Sequence, residues 1–219
     1  MNGSDPIVDR LPLDSREAAS TSAVREMVLA SPRLTGFAGG AEAVARLLDR
    51  IENVWLDHGA VRIHCDLHRS EDAKATIVFQ PGSGSYGRFY FLLCGLLAER
   101  GYHVLAVDRP GHGLSSGPRG DCTVEEAIAV AGAAIAHARA AFGLPVVLMG
   151  SSLGGLLTIF ALLEGLEPDL AVAHNFLMPG KLVSMRLRAP WPALRRTRPY
   201  PLPELVHRFE RLSGDPPLP

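Results

Sequence analysis

The sequence predicts an α/β protein with a mostly parallel sheet covered by helices on both faces. Three observations carry this. First, from residue 75 onward, four short continuous apolar runs recur: ATIVFQ (75–80), HVLAVD (103–108), LPVVLMG (144–150) and DLAVAHNFLM (169–178). A strand buried on both faces reads this way, without polar alternation. Second, helical stretches of roughly 12–18 residues separate these runs, as right-handed crossovers between parallel strands require. Third, the turns that follow two of the runs are glycine-rich: PGSGSYG (81–87) and RPGHGLSSGPRGD (109–121).

Taken in order, residues 1–20 are polar and are expected to be loosely ordered. Two helices follow, around SAVREMVLAS (22–31) and AEAVARLLDRI (41–51), the second with Ala45, Leu47, Leu48 and Ile51 on one side. VWLDHGAVRIHCDLH (54–68) reads as two strands joined at Asp57-His58-Gly59, a hairpin signal. The imperfect alternation of Val61, Ile63, Asp66 and His68 suits a strand near a sheet edge. RFYFLLCGLLAER (88–100) is helical and stops at Gly101. Thr123 and Glu126 form a capping box for an Ala-rich helix that runs to about Phe142. LGGLLTIFALLEG (153–165) is the last helix between strands. Beyond Met178 the chain becomes rich in proline and arginine and cannot continue the alternation. Short helices are expected near LVSMRL and ELVHRFERL. The organisation predicted is an N-terminal helical extension (1–51), an α/β core (52–180) and a distinct terminal segment (181–219).

Composition narrows the function classes. A chain of 219 residues holds one domain with a substantial core. A net charge of −1 gives no global attraction to nucleic acid or an anionic membrane surface. Cys65, Cys94 and Cys122 are odd in number and lack a CxxC pair, which argues against a disulfide framework or a zinc site and for a reducing compartment. The polar, acidic start is no signal peptide, and no apolar stretch reaches the ~18 residues of a membrane span. A cytoplasmic protein without metal, cofactor, nucleic-acid partner or integral membrane association is expected.

Three motifs then fall in one order on the expected strand–loop–helix contexts: PGSGSYGRFY (81–90), DRPGHGLSSG (108–117) and GSSLG (150–154). Together they resemble the α/β-hydrolase fold family, in particular its monoacylglycerol-lipase and lysophospholipase-like branch, over roughly residues 52–180. GSSLG matches GxSxG, the nucleophile elbow, with Ser152 at the nucleophile position. Gly150 and Gly154 would let the chain approach itself closely around a strained serine. The helix beginning beneath Ser152 would turn its N-terminal N–H groups toward a developing negative charge. By family position the oxyanion hole consists of the N–H groups of Leu153 and Ser83. Pro81 stands where the family generally has a structural histidine. His112 and Asp108 are expected to support the loop rather than to take the serine's proton. A phosphate cradle is the rival reading of GSGSYG, but no Gly-Lys-Ser/Thr follows and no GxGxxG fits.

The family order Ser…Asp/Glu…His implies an acid and a histidine carried by two further strands after the sixth. Neither is recognised before Pro219. His174 is expected within a strand, with its ring packed in the sheet. His207 is expected on a lid helix without a paired acid, and Asp169 and Asp215 are expected as loop residues without a catalytic role. The fold class is therefore an α/β-hydrolase fold lacking its last two strands, with 181–219 as the start of a lid. A C-terminal segment of a longer form, or a partner chain, is expected to cover the sheet edge. The terminal segment carries Arg186, Arg188, Arg195, Arg196 and Arg198 among Met185, Leu187, Trp191 and Leu194. It reads as a solvated helix pair with its apolar side on the core, or as a surface for an anionic lipid. The resemblance implies a serine hydrolase acting through an acyl-enzyme on an acylglycerol- or lysophospholipid-like ester. The alternatives are a non-catalytic module of the same fold or one part of a split enzyme.

Overall fold

The computed structural model describes residues 13–176. The expectations for 181–219, including His207, Asp215 and the arginine-rich stretch, lie outside the described residues. The elements run α1 (Leu13–Leu29), α2 (Pro32–Ala38), α3 (Ala41–Asp49), β1 (Ile51–His58), β2 (Val61–His68), β3 (Ala75–Gln80), a 3-10 turn (Gly87–Tyr90), α4 (Phe91–Ala98), β4 (Tyr102–Val107), α5 (Val124–Phe142), β5 (Val146–Ser151), α6 (Leu153–Leu163) and β6 (Leu170–His174).

The strands form one sheet in the order β1-β2-β4-β3-β5-β6. The hairpin β1–β2 is antiparallel, and β2 joins β4 antiparallel. From β4 across to β6 every pairing is parallel. Alternation along the central strands divides the core between the two faces. Val78, Leu105, Val146 and Leu148 pack with α5 and α6. Ile77, Phe79, Val104 and Ala106 pack with Cys94 of α4 and its flanking leucines. Each such side chain removed from water contributes about 1.5–3 kcal/mol, which anchors the strand ends that carry the site. All three cysteines are buried free thiols.

Three local expectations need correction. The segment expected to be loose is helical from Leu13, because α1 is held as much by polar contacts as by its short apolar ridge of Val24 and Val28. A helix over SPRLTGFA went unread although its caps are explicit. Ser31 accepts a hydrogen bond from the Leu34 N–H, Pro32 opens the helix, and Gly39 closes it at φ 91°. In α3 the buried face is Ala43, Val44, Leu47 and Leu48, with Ala45 only half-buried. Strand β2 lies one strand in from the sheet edge, as its imperfect alternation suggested. It lies between β1 and β4, and Ile63 through His68 are all buried, including the polar His64, Asp66 and His68. The Thr123 cap of α5 makes both reciprocal bonds, at 2.7 and 3.1 Å.

Candidate active site

Strand β5 turns into α6 through a single residue. Ser152 has φ 54° and ψ −115°, a region that costs a non-glycine residue of order 1–3 kcal/mol. Its neighbours explain how the corner is tolerated. A Cβ on Gly150 would collide with the backbone of Gly154, and one on Gly154 with the carbonyl of Gln80. Only hydrogen at both positions lets the strand, the corner and the first helical turn lie this close. The Ser152 N–H donates to the His174 carbonyl at 3.0 Å, tying the corner to β6, and its own carbonyl accepts from Leu156 at 3.1 Å. Behind it, Thr158 donates to the Gly154 carbonyl at 2.9 Å and receives a bond from the Gln80 amide at 3.1 Å. Ser152 is left exposed, and Leu153, the first residue of α6, has an N–H with no acceptor within its own helix.

The loop after β3 lies against this corner. A Cβ on Gly82 would stand 3.3 Å from the Ser152 Cβ and 3.0 Å from the Tyr90 hydroxyl. Pro81 and Gly82 are buried, whereas Ser83 and Gly84 are exposed, and Gly84 turns at φ 66°. The Gly82 N–H donates to the Tyr90 hydroxyl at 3.3 Å, and the Ser85 hydroxyl donates to the Gly82 carbonyl at 2.9 Å. Arg109, from the loop after β4, sends Nη1 to the Pro81 carbonyl at 2.6 Å and Nη2 to the Gly82 carbonyl at 2.8 Å. The folded chain thus brings Ser152, Leu153, Gly150 and Gly154 together at one corner, and sets Ser83 one residue from the glycine that faces it.

The loop 108–121 is organised around Asp108, which is 1% exposed. Its carboxylate accepts from the N–H groups of Gly87 at 2.6 Å and Leu114 at 2.9 Å, and meets His64 Nδ1 at 2.9 Å. Gly113 leaves no room for a Cβ beside that carboxylate. His112 sets Nδ1 2.8 Å from the Pro110 carbonyl, and burial, aided by the Arg109 guanidinium, pushes its imidazole below the ordinary value. Behind the loop, His64 Nε2 lies 2.8 Å from Asn53 Oδ1, and Arg88 grips Asp66 at 2.6 and 3.2 Å. Burial pushes the Asp66 carboxyl upward, against the opposing pull of Arg88. Arg88 also donates to Thr21 on α1 at 2.9 Å, and Ser20 donates to the Tyr86 hydroxyl at 3.1 Å. The polar face of α1 therefore helps to hold the loop that touches Ser152.

His174 stands at the end of β6 rather than within a longer strand, because Asn175 turns to φ 55°. Its ring is half-buried and, among the described residues, Nε2 makes no hydrogen bond, so it is not engaged with the Ser152 hydroxyl. Asp169 lies at the opposite end of β5. It accepts from the Val146 N–H at 2.8 Å, the contact that chiefly holds its carboxyl below the usual range. Among the described residues no histidine hydrogen-bonds to the Ser152 hydroxyl, and no cluster of three or more His, Cys, Asp or Glu side chains could hold a metal ion. Nor is any described helix long and apolar enough to cross a membrane. The motif reading missed Arg109, Arg88 and the first half of α1, which act across long sequence separations, and Ser85 and Tyr90, which act on Gly82 from within the same loop.

Residues 71–175 match the family described as Hydrolase_4, serine aminopeptidase, S33. Phospholipase YtpA of Bacillus subtilis (strain 168) is 40% identical over 92 residues, which are 42% of this chain and 35% of that protein. Among solved structures, the α/β hydrolase GrgF from Penicillium sp. sh18 superposes with a TM-score of 0.53 at 18% identity, over 77% of this chain and 57% of that one. The esterase EaEST from Exiguobacterium antarcticum gives 0.50 at 20% identity, over 58% and 47%. The chain thus spans about a third of the curated relative's length and about half of each of these structures. With its strand order, its helices on both faces and these likenesses, the chain has the α/β-hydrolase fold.

Proposed function

We propose that the chain carries the nucleophile and oxyanion hole of a serine ester hydrolase, with an acylglycerol- or lysophospholipid-like substrate. The supporting observation is the exposed Ser152 held at φ 54° on the β5–α6 corner, with Gly82 against it. In this reading the Ser152 hydroxyl attacks the ester carbonyl. The carbonyl oxygen, becoming anionic, moves into the N–H groups of Leu153 and Ser83. Each donor of this kind typically supplies ~3 kcal/mol at the transition state. The positive end of the α6 dipole adds to that field. Collapse of the tetrahedral species expels the alcohol and leaves the acyl group on Ser152, from which water releases it. In this reading the base that accepts the Ser152 proton, and the acid that orients it, come from outside residues 13–176. The lipid-like substrate class rests on motif resemblance and on the 40% identical phospholipase.

A non-catalytic module of the same fold is the second reading, and the absence of a histidine on Ser152 among the described residues favours it. A fluorophosphonate probe separates the two. Labelling that disappears in Ser152→Ala supports the hydrolase. If neither this chain nor a longer form containing it is labelled at Ser152, the binding module stands instead.

A further inference from the structure

We infer that Arg109 is a positioning residue that aims the second oxyanion donor, the N–H of Ser83. This deepens the reading above and rests on it. Arg109 is 3% exposed, and its fork binds two successive carbonyls, of Pro81 and Gly82, at 2.6 and 2.8 Å. Two parallel charge-assisted bonds from a rigid guanidinium fix direction as well as distance. The consequence follows from the planarity of the trans peptide. In that plane the carbonyl of residue i and the N–H of residue i+1 point in opposite directions. Drawing the Gly82 carbonyl toward the buried guanidinium therefore turns the Ser83 N–H away from it. That N–H leaves the plane's far side on a segment whose Gly82 faces the Ser152 side chain, leaving only 3.3 Å for an added Cβ, and Ser83 itself is exposed.

The preceding peptide obeys the same geometry. The Pro81 carbonyl faces Arg109, and the Gly82 N–H on its other side reaches the Tyr90 hydroxyl at 3.3 Å. The Ser85 hydroxyl supplies a second donor to the Gly82 carbonyl at 2.9 Å. That bond is neutral and belongs to the same loop, so it cannot register the loop against β4. Arg109 does so, because it leaves β4 directly after Asp108, which is fixed by Gly87, Leu114 and His64. Pro81 has no side chain able to hydrogen-bond, so the support has to come from elsewhere in the fold, and the Arg109 fork provides it.

The test compares the parent chain, in its longest expressible form, with Arg109→Met and Arg109→Lys. Fluorophosphonate labelling is resolved into a binding constant and a maximal rate. A misaimed donor lowers the maximal rate by roughly tenfold to a hundredfold while the binding constant stays the same, and lysine, which reaches one carbonyl only, falls between. Crystal structures of both variants give a readout independent of labelling: the Gly82–Ser83 peptide is expected to rotate in Arg109→Met. If labelling depends on Ser152 but both variants match the parent rate, the inference is overturned and the hydrolase reading survives. A variant structure that retains the Gly82 carbonyl orientation overturns it whether or not the protein labels. Labelling that persists in Ser152→Ala overturns the hydrolase reading, and the role of Arg109 with it.

Discussion

At Ser152 the backbone holds an arrangement that folding alone disfavours. With φ 54° and ψ −115° the residue gives up of order 1–3 kcal/mol relative to a relaxed backbone. Glycine would escape that strain, at a cost of roughly 0.5–1 kcal/mol from the freer unfolded chain. Ser152→Gly is therefore expected to be more stable than Ser152→Ala by about 1 kcal/mol in urea denaturation. Equal stabilities would show that the corner is not strained in solution. The GxSxG spacing was legible because both glycines answer to a steric demand local to a few residues. Arg109 was not, since its partners lie 27 and 28 positions away and nothing in RPGHG records which carbonyls they are. His174 was misplaced for a related reason. The run continues in sequence through Met178, but the strand ends where Asn175 adopts a left-handed turn.

At the scale of the elements, α1 joins the body through charge as well as packing. Arg88 bridges Asp66 of β2, Asn53 of β1 and Thr21 of α1, with Glu17 3.5 Å away, and the inner members of this group are almost fully buried. A buried pair of this kind adds little over an apolar replacement, but losing one partner leaves a charge without compensation. Arg88→Met is thus expected to cost about 3–5 kcal/mol in chemical denaturation. The amides of α1 should exchange with solvent faster than those of α5, and Arg88→Met/Asp66→Leu should recover much of the loss. Unchanged α1 protection would mean that Val24 and Val28 alone hold the helix. The sequence hid the first half of α1 because its core-facing stripe is interrupted by Glu17, Ser20 and Thr21, which serve as partners for Arg88 and Tyr86. The strands and α5 were legible because apolar runs and a capping box are local signals. The buried polar stretch of β2 defied the alternation rule, since its partners are supplied by other strands and loops.

Across the whole molecule the two ends of the sheet have different tasks. Ser151, Gln80 and Val107 close the parallel strands at the end where the loops meet Ser152, so substitutions there should act on the Ser152 corner. His68 ends the antiparallel β2 at the other end, paired with Ile51 and Val104. It is 3% exposed, and burial, reinforced by Arg88, pushes its imidazole down to about 3. An unfolded chain would protonate the same ring near 6.5. Between those values the unfolded state binds a proton that the folded state refuses, so stability from His68 is complete above about pH 6.5 and is lost as pH falls toward 3. At about 1.4 kcal/mol per pH unit, the loss between pH 6.5 and 5 is roughly 2 kcal/mol. Urea denaturation of the parent and of His68→Gln at several pH values isolates this contribution, since the remaining histidines are common to both. The parent is expected to lose that much more stability than the variant on acidification, with no step at alkaline pH. Parallel pH profiles would mean that the His68 ring is protonated, or reached by water, within the folded sheet. Because His68 and Ser152 lie at opposite ends of the strands, the same substitution should leave the Ser152 corner in place, so acid sensitivity of the fold and reactivity of the serine separate in one experiment.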